Sequence, residues 1–157
     1  MINSNTLKDF LNKRDFKRVK LHFIHSNHYK VLAKINGVKG WFIIDTGASS
    51  TFVSQFATEK FKLQIRPQKI KAQGAGPEQI EAQIYKNNQL TIGRWISKKC
   101  PIASIDLSPI NAAFSAAKLT KVDGIIGADV LKKGKAVIDY DKNYLYLKSV
   151  SYTHLRA

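Results

Sequence analysis

Alternation of apolar and polar residues predicts β-strands in the first third of the chain. Basic and apolar residues alternate over positions 18–24, which is the pattern of a half-buried strand. Further strands are expected over 29–35 and 38–44. The dipeptide between them, Asn36 and Gly37, is typical of a tight hairpin turn. This part of the chain is therefore predicted to be an antiparallel sheet.

Strand patterns recur through the rest of the chain. Strands expected over 69–72 and 79–90 flank the glycine-rich residues Gly74, Ala75 and Gly76, which predicts a hairpin with a flexible tip. Further strand patterns lie at 91–96, 101–106, 125–126, 135–140 and 143–148, the last two forming a hairpin.

Helical periodicity is confined to short segments. Leu7, Phe10 and Leu11 share one helical face, so a short helix is expected within 6–16. Three more short helices are expected over 53–61, 111–119 and from 128 to 131. The predicted fold class is therefore mainly β with short helices.

Composition narrows the class of protein. With 157 residues, 44% of them hydrophobic, the chain is long enough for one domain with a real core and is neither disordered nor collagen-like. No stretch has the apolar length of a membrane span. The single cysteine, Cys100, cannot form an internal disulfide and is expected to be a buried residue. The N-terminus has no basic region followed by an apolar run, so a cytoplasmic location is expected, or a periplasmic one if the start is truncated.

The net charge of +15 favours acidic partners electrostatically. The basic residues are dispersed and no zinc-finger or RNP motif is present, so a solvated lysine-rich surface is expected rather than specific nucleic-acid recognition. His22, His25 and His28 recur at a spacing of three. Strand geometry would scatter these side chains over both faces, so no metal site is expected.

The most informative carboxylate is Asp45, at the end of the strand predicted over 38–44. It is followed by the small turn residues Thr46, Gly47 and Ala48. A lone carboxylate after a buried strand is costly unless it is paired, hydrogen-bonded or used chemically. An isolated Asp-x-Gly would more often be a simple turn. The apolar residues before Asp45 and the Ala-Ser-Ser-Thr run after it favour a chemical role.

A second string, Ile125, Ile126 and Gly127, predicts a buried strand that ends close to another backbone. Taken with the Asp-Thr-Gly-Ala-Ser string and the glycine hairpin between them, it resembles the retropepsin-like aspartic proteases, in the bacterial single-domain type. Either string alone is a weak signal, whereas the ordered set is specific.

The resemblance implies a retropepsin-like acid protease fold, a closed β-barrel-like single lobe with a flap hairpin. It covers residues 21–148, which we expect to form the protease domain. Residues 1–20 are expected to be an N-terminal helical extension. Residues 149–157 resemble a translated sequencing adapter and are expected to be non-native.

The resemblance also implies an aspartic endopeptidase without metal or cofactor, acting on a peptide or protein. This chemistry needs two carboxylates that share one proton and activate a water, and the chain offers one Asp-Thr-Gly. A homodimer would therefore supply Asp45 and its symmetry mate as the catalytic pair. The resemblance assigns loop support to Thr46, Gly47 and Ala48, the flap to Gly74, Ala75 and Gly76, and shaping of the site to Ile125, Ile126 and Gly127.

The remaining acids considered as partners do not precede a Thr/Ser-Gly turn, so roles in turns or helix caps are expected for them. They are Asp106, Asp123, Asp129, Asp139 and Asp141. Retroviral members often carry an acid where Ser49 stands and an arginine where Ala128 stands. Both partners of that internal ion pair are absent here, so the pair is replaced rather than broken.

Two other classes of function stay open at this point. A catalytically silent peptide-binding or assembly module could use the same fold, although a pure binder has no need of an unpaired buried carboxylate. A basic nucleic-acid-associated protein is the third alternative, and it would show steeply salt-dependent affinity.

Overall fold

A computed structural model describes residues 6–63, 68–73, 79–117 and 121–150. The described helices are α1 (Leu7–Asn12), α2 (Ser108–Ala116) and α3 (Ala128–Lys133). The described strands are β1 (Phe16–Lys20), β2 (His22–Phe23), β3 (Tyr29–Ile35), β4 (Val38–Ile44), β5 (Phe52–Ser54), β6 (Gln68–Gln73), β7 (Gln79–Ile92), β8 (Trp95–Ile105), β9 (Gly124–Ile126), β10 (Val137–Asp139) and β11 (Tyr144–Lys148). The protein is mainly β, as predicted. No helix in these ranges has the length and apolar character to cross a membrane.

Six strands close into a barrel in the order β3, β4, β9, β5, β8 and β7. The ring closes because β3 pairs antiparallel with β7 as well as with β4. β2 and β6 extend the same sheet beyond the barrel, on β3 and β7 respectively. The predicted closed, barrel-like lobe is confirmed.

The period of two along β4 divides the hydrophobic residues between two cores. Phe42 and Ile44 point into the barrel and belong to its main cluster. Ile43, between them, faces outward and packs in a second cluster with Leu107 and Phe114, the latter on α2. Both faces of β4 are therefore buried at its end, which explains the continuous apolar run from Phe42 to Ile44.

The strand β9 is inserted between β4 and β5, parallel to the first and antiparallel to the second. Its first residue, Gly124, lies so close to β5 that a Cβ atom there would be 2.1 Å from the carbonyl oxygen of Phe52. Any side chain at this position would force the two strands apart. Glycine is therefore required where β9 enters the sheet.

A separate three-stranded sheet, in the order β1, β11 and β10, packs against the outside of the barrel. The Trp95 indole Nε1 donates to the carbonyl of Lys148 over 2.8 Å and ties the two sheets together. Residues 18–24 were expected to form one strand, and this prediction is wrong. The chain leaves the outer sheet at Lys20 and enters the barrel sheet at His22, and the buried Leu21 between them donates its amide to the Asn143 carbonyl.

The helix expected over 53–61 is also wrong. Phe52–Ser54 is strand β5, and only a 3₁₀ turn, Gln55–Ala57, follows it. Pairing with β8 on one side and β9 on the other closes the barrel at this point, and this outweighs the local helical pattern. Val53 is fully buried as a result.

Two helices have boundaries that differ from the prediction. α1 ends at Asn12 because the chain turns at Asp15, whose φ is 64°, and β1 begins at the next residue. α2 begins at Ser108 rather than 111, with a proline in its first turn. The hairpin of β10 and β11 agrees with the prediction.

Several predicted features lie outside the described residues. They are the hairpin tip at Gly74, Ala75 and Gly76, the end of the helix predicted up to 119, and most of the segment 149–157. Within that last segment, the Ser149 amide donates to Asp15 and Val150 packs against the main core.

The turn between β3 and β4 has a larger role than reversing the chain. Asn36 adopts the left-handed conformation, with φ of 51°, and its side-chain oxygen accepts a hydrogen bond from the Gln89 amide. Its side-chain nitrogen donates to the Phe61 and Lys62 carbonyls and to the buried Asn88, at 2.9, 3.0 and 3.0 Å. One side chain therefore links three separate segments of the chain.

We expect Asn36→Gly to keep the turn but to lower the free energy of unfolding by about 2–4 kcal/mol, because several part-buried hydrogen bonds lose their partner. Asn27 is a matched control, since its φ is 63° and its side chain has no hydrogen bond within the described ranges. Asn27→Gly should change the free energy by no more than about 0.5 kcal/mol. Urea denaturation measures both. Equal losses would show that the backbone conformation alone accounts for Asn36.

Candidate active site

The end of β4 places Asp45 at the rim of the barrel. Ile44 pairs with Ile126 in the parallel β4–β9 ladder, and the Asp45 amide donates to the Ile126 carbonyl over 3.0 Å. Asp45 itself is half-buried. The main chain that carries this carboxylate is therefore held by the sheet up to the residue itself.

A tight turn holds one oxygen of the carboxylate. The Gly47 amide donates to Asp45 Oδ1 over 2.8 Å, and the Ala48 amide donates to the Asp45 carbonyl over 3.2 Å. A Cβ atom at Gly47 would lie 3.3 Å from Oδ1, which is tighter than most real Cβ contacts. Glycine lets the turn close on the carboxylate. The second oxygen, Oδ2, accepts no hydrogen bond from any described residue and is available to a ligand.

Gly127 packs closely against the turn that follows Asp45. A Cβ atom there would lie 2.4 Å from the Ser50 carbonyl oxygen and 2.7 Å from that of Ala48. The Ala128 amide donates to the same Ala48 carbonyl over 2.7 Å. The turn after Asp45 therefore rests directly on the backbone that follows β9. We call residues 45–51 the Asp loop.

The far end of the Asp loop is fixed by a polar cluster of Thr51 and Asp129 that the sequence did not reveal. The Thr51 hydroxyl donates to Asp129 Oδ1 over 2.8 Å, and the Thr51 amide donates to Oδ2 over 3.2 Å. The same hydroxyl accepts from the Gly127 amide, and Asp129 Oδ1 also accepts from Val130. Thr51 is 1% exposed, whereas Asp129 is exposed at the start of α3, so these bonds are shielded from water on the Thr51 side.

Sequence reasoning gave Asp129 only a turn or helix-cap role and did not single out Thr51. The two are 78 positions apart, and only the insertion of β9 beside β5 brings them together. Two residues could have pointed to this contact. One is Asp129, the acid two positions after Gly127, and the other is Thr51, which ends the run that begins with Asp-Thr-Gly.

The other carboxylates are engaged elsewhere. Asp123 accepts from the Trp41 amide and pairs with Lys60 at 2.9 Å, at the entrance to β9. Asp139 accepts two amides in the turn before β11. Asp106 accepts from Ser108, whose hydroxyl and amide lower the pKa of the Asp106 carboxyl. No hydrogen bond links Asp45 to another acid in the described ranges.

The histidines and the cysteine sit in different environments. His22 stacks edge-on against Trp41, and its pKa is lowered by burial and by the neighbouring lysines at 20 and 30. The His28 ring is 2.9 Å from the Ser26 hydroxyl. Burial raises the pKa of the Cys100 thiol to about 12. In the part of the chain that the structure describes, no three His, Cys, Asp or Glu side chains come together as metal ligands.

The outer side of the Asp loop faces a cleft. Thr46 is exposed, and its hydroxyl has no hydrogen-bond partner among the described residues. The cleft beside it has a volume of about 380 Å³. Its other lining residues are Ala128, Leu131, Lys132, Lys135, Ala136 and Ile138. The predicted flap lies on the β6–β7 hairpin, but its glycine tip is outside the described residues.

Two solved structures with a similar fold are proteases. A retropepsin-like aspartic protease from Rickettsia conorii is 18% identical, with a TM-score of 0.61 over 85% of this chain and 92% of that chain. EIAV protease complexed with the inhibitor HBY-793 is 15% identical, with a TM-score of 0.53 over 75% of this chain and 98% of that chain. At these identities the likeness shows the fold alone.

A search of curated proteins gave no significant match. The family model described as aspartyl protease matches residues 31–130. This match includes Asp45 and Gly127, and it covers most of the barrel described above. The chain belongs to the aspartyl protease family and has the retropepsin-like fold that its sequence predicted.

Proposed function

We propose that this protein is an aspartic endopeptidase in which Asp45 from each of two copies activates the water that hydrolyses a peptide bond. The observation that carries the proposal is the state of the Asp45 carboxylate. One oxygen accepts a hydrogen bond from the Gly47 amide at 2.8 Å. The other, at the rim of the barrel, accepts none from any described residue. Family membership and fold support protease activity in general.

The chemistry requires a pair of carboxylates at one site. One carboxylate takes a proton from the attacking water, while the other, protonated, polarises the carbonyl of the scissile bond. Two like charges at close range cannot both ionise readily, so the pair shares a proton. The donor from Gly47 orients Asp45 without neutralising it, which suits the base in this scheme.

A second copy is the simplest source of the partner carboxylate. Asp123 and Asp129 are committed to structural hydrogen bonds, so neither is free to approach Asp45. A two-fold axis next to the Asp loop would instead bring two copies of Asp45 together. Thr46, with its unpartnered hydroxyl, lies on the side of the loop that such an axis would use.

The surface beside Thr46 suits such an interface. The cleft there is lined by apolar side chains between two lysines, and β10 is an edge strand of the outer sheet. Val137 and Ile138 on β10 are only half-buried, and an exposed apolar edge strand favours association. The substrate is proposed to be an extended peptide that adds main-chain hydrogen bonds along the β6–β7 hairpin.

We expect Asp45→Asn to reduce peptide cleavage on the order of 10²–10⁴-fold, because an amide cannot serve as the base. The measurement is mass spectrometry of a peptide library incubated between about pH 4 and 8, the range that brackets ordinary and raised carboxyl pKa values. Asp141→Asn is the matched control, since its side chain is 85% exposed in a turn. An Asp45→Asn variant with full activity would end the proposal. Binding of peptides by the wild type without cleavage would favour the silent module.

We expect Thr46→Ala to weaken self-association about 10–100-fold, because a two-fold interface loses the same hydrogen bond twice. Thr46→Ser should retain it, since the hydroxyl is kept. Sedimentation velocity over a dilution series measures the association, and activity at each concentration should follow the dimer fraction. A monomeric wild type with full activity would contradict the dimeric site.

We expect Thr51→Val to lower kcat about 10–100-fold with a smaller change in KM, because the Asp loop loses its link to Asp129 and the carboxylate is displaced. Thr51→Ser keeps the hydroxyl and should restore most of kcat. Both are measured well below the melting temperature, so that lost stability does not mimic lost activity. Equal kcat in Thr51→Val and wild type would show that the polar cluster does not position Asp45.

A further inference from the structure

A second site of interest lies between α1 and the outer sheet, away from the Asp loop. The cavity there has a volume of about 310 Å³. Helix α1 contributes one wall, β1 and β11 contribute the floor, and the turn between β7 and β8 closes one end. Its lining residues are Lys8, Asn12, Phe16, Arg18, Arg94 and Tyr146. Three of these six carry a positive charge and none is acidic.

Arg18 is held in place by aromatic neighbours. Its guanidinium carbon lies 4.1 Å from the centroid of the Tyr144 ring. Arg18 and Tyr146 are direct cross-strand neighbours in the β1–β11 ladder. Burial raises the pKa of Tyr146, so its hydroxyl stays protonated at neutral pH. Since the guanidinium is stacked, less conformational entropy is lost when it binds a ligand.

No acidic residue lines this cavity. Over the described ranges, the ion pairs within 4.0 Å are Lys60 with Asp123 and Lys142 with Asp141, neither of which lies in the cavity. Asp139 and Asp141 line an adjoining cavity that shares Lys8, Arg18 and Tyr146 with this one. Asp139 already accepts hydrogen bonds from two amides there. Lys8, Arg18 and Arg94 thus line one cavity, and none of them forms an ion pair with a described residue.

We propose that this cavity binds a compact polyvalent oxyanion, a phosphate or a di- or tricarboxylate, between Lys8, Arg18 and Arg94. Guanidinium groups present paired N–H donors that match the oxygens of phosphate and carboxylate. The Asn12 amide adds neutral hydrogen-bonding capacity. Small-molecule cavities run from about 300 to 1,000 Å³, so this volume suits a compact ligand and not a polymer. The bound anion would hold α1 against the sheet.

The test is isothermal titration calorimetry of the full chain with pyrophosphate and with citrate at constant ionic strength. We expect saturable one-to-one binding, about tenfold weaker in Arg94→Gln and in Arg18→Gln because each loses a charge-assisted contact. Lys39→Gln is the control, since it removes one charge from an exposed position on β4 outside the cavity. Its affinity should stay within about twofold of wild type. The ligand that binds more tightly identifies the anion as phosphate-like or carboxylate-like.

Two results would overturn the proposal. One is the absence of saturable binding of either anion up to about 10 mM, well beyond the range of a specific site. The other is equal weakening in all three variants, which would indicate attraction by the net charge alone. Circular dichroism checks the fold of each variant. If Arg18→Gln is misfolded, Arg94→Gln decides the outcome, because its side chain is exposed in the turn between β7 and β8.

Discussion

The close contact between Gly127 and the Asp loop constrains the whole site. A single Cβ atom at this position would overlap two carbonyl oxygens of the loop, at 2.4 and 2.7 Å. Gly124, at the other end of β9, is equally close to the backbone of β5. A three-residue strand is therefore bounded by two positions at which only glycine fits. Because β9 can lie this deep between its neighbours, the sheet reaches the residue that carries the carboxylate.

Hydrogen bonds to Asp129 fix the end of the Asp loop, in addition to the contact that Gly127 makes with it. The contact with Gly127 alone would still let the loop shift, but Thr51 fixes its far end through two hydrogen bonds to the Asp129 carboxylate. A threonine and an aspartate thus tie the Asp loop to the segment that follows β9 without a cation. An ionised acceptor strengthens these bonds relative to neutral ones.

Only one side of the Asp loop has its hydrogen bonds and packing contacts made by the described residues. Toward the barrel, every contact described above is made within the chain. On the opposite side, Thr46 is exposed, one Asp45 oxygen accepts no hydrogen bond from a described residue, and β10 presents a half-buried edge. An active site at a two-fold axis requires a loop whose inner side is held rigidly and whose outer side still has hydrogen-bonding groups to offer. The oxyanion cavity lies on the outer sheet and draws on different elements, so the two sites can be tested separately.

Period-two alternation and turn chemistry act over a few residues, so the fold class, the Asp45 turn and the hairpin at Asn36 could all be predicted from local sequence. It misplaced the element at 53–61 and treated 18–24 as one strand, since pairing with distant strands decided both. The partnership of Thr51 with Asp129, and the convergence of Lys8, Arg18 and Arg94, were decided only by the tertiary structure. Such contacts join residues that no local pattern relates, and they exist only once the barrel has closed around β9.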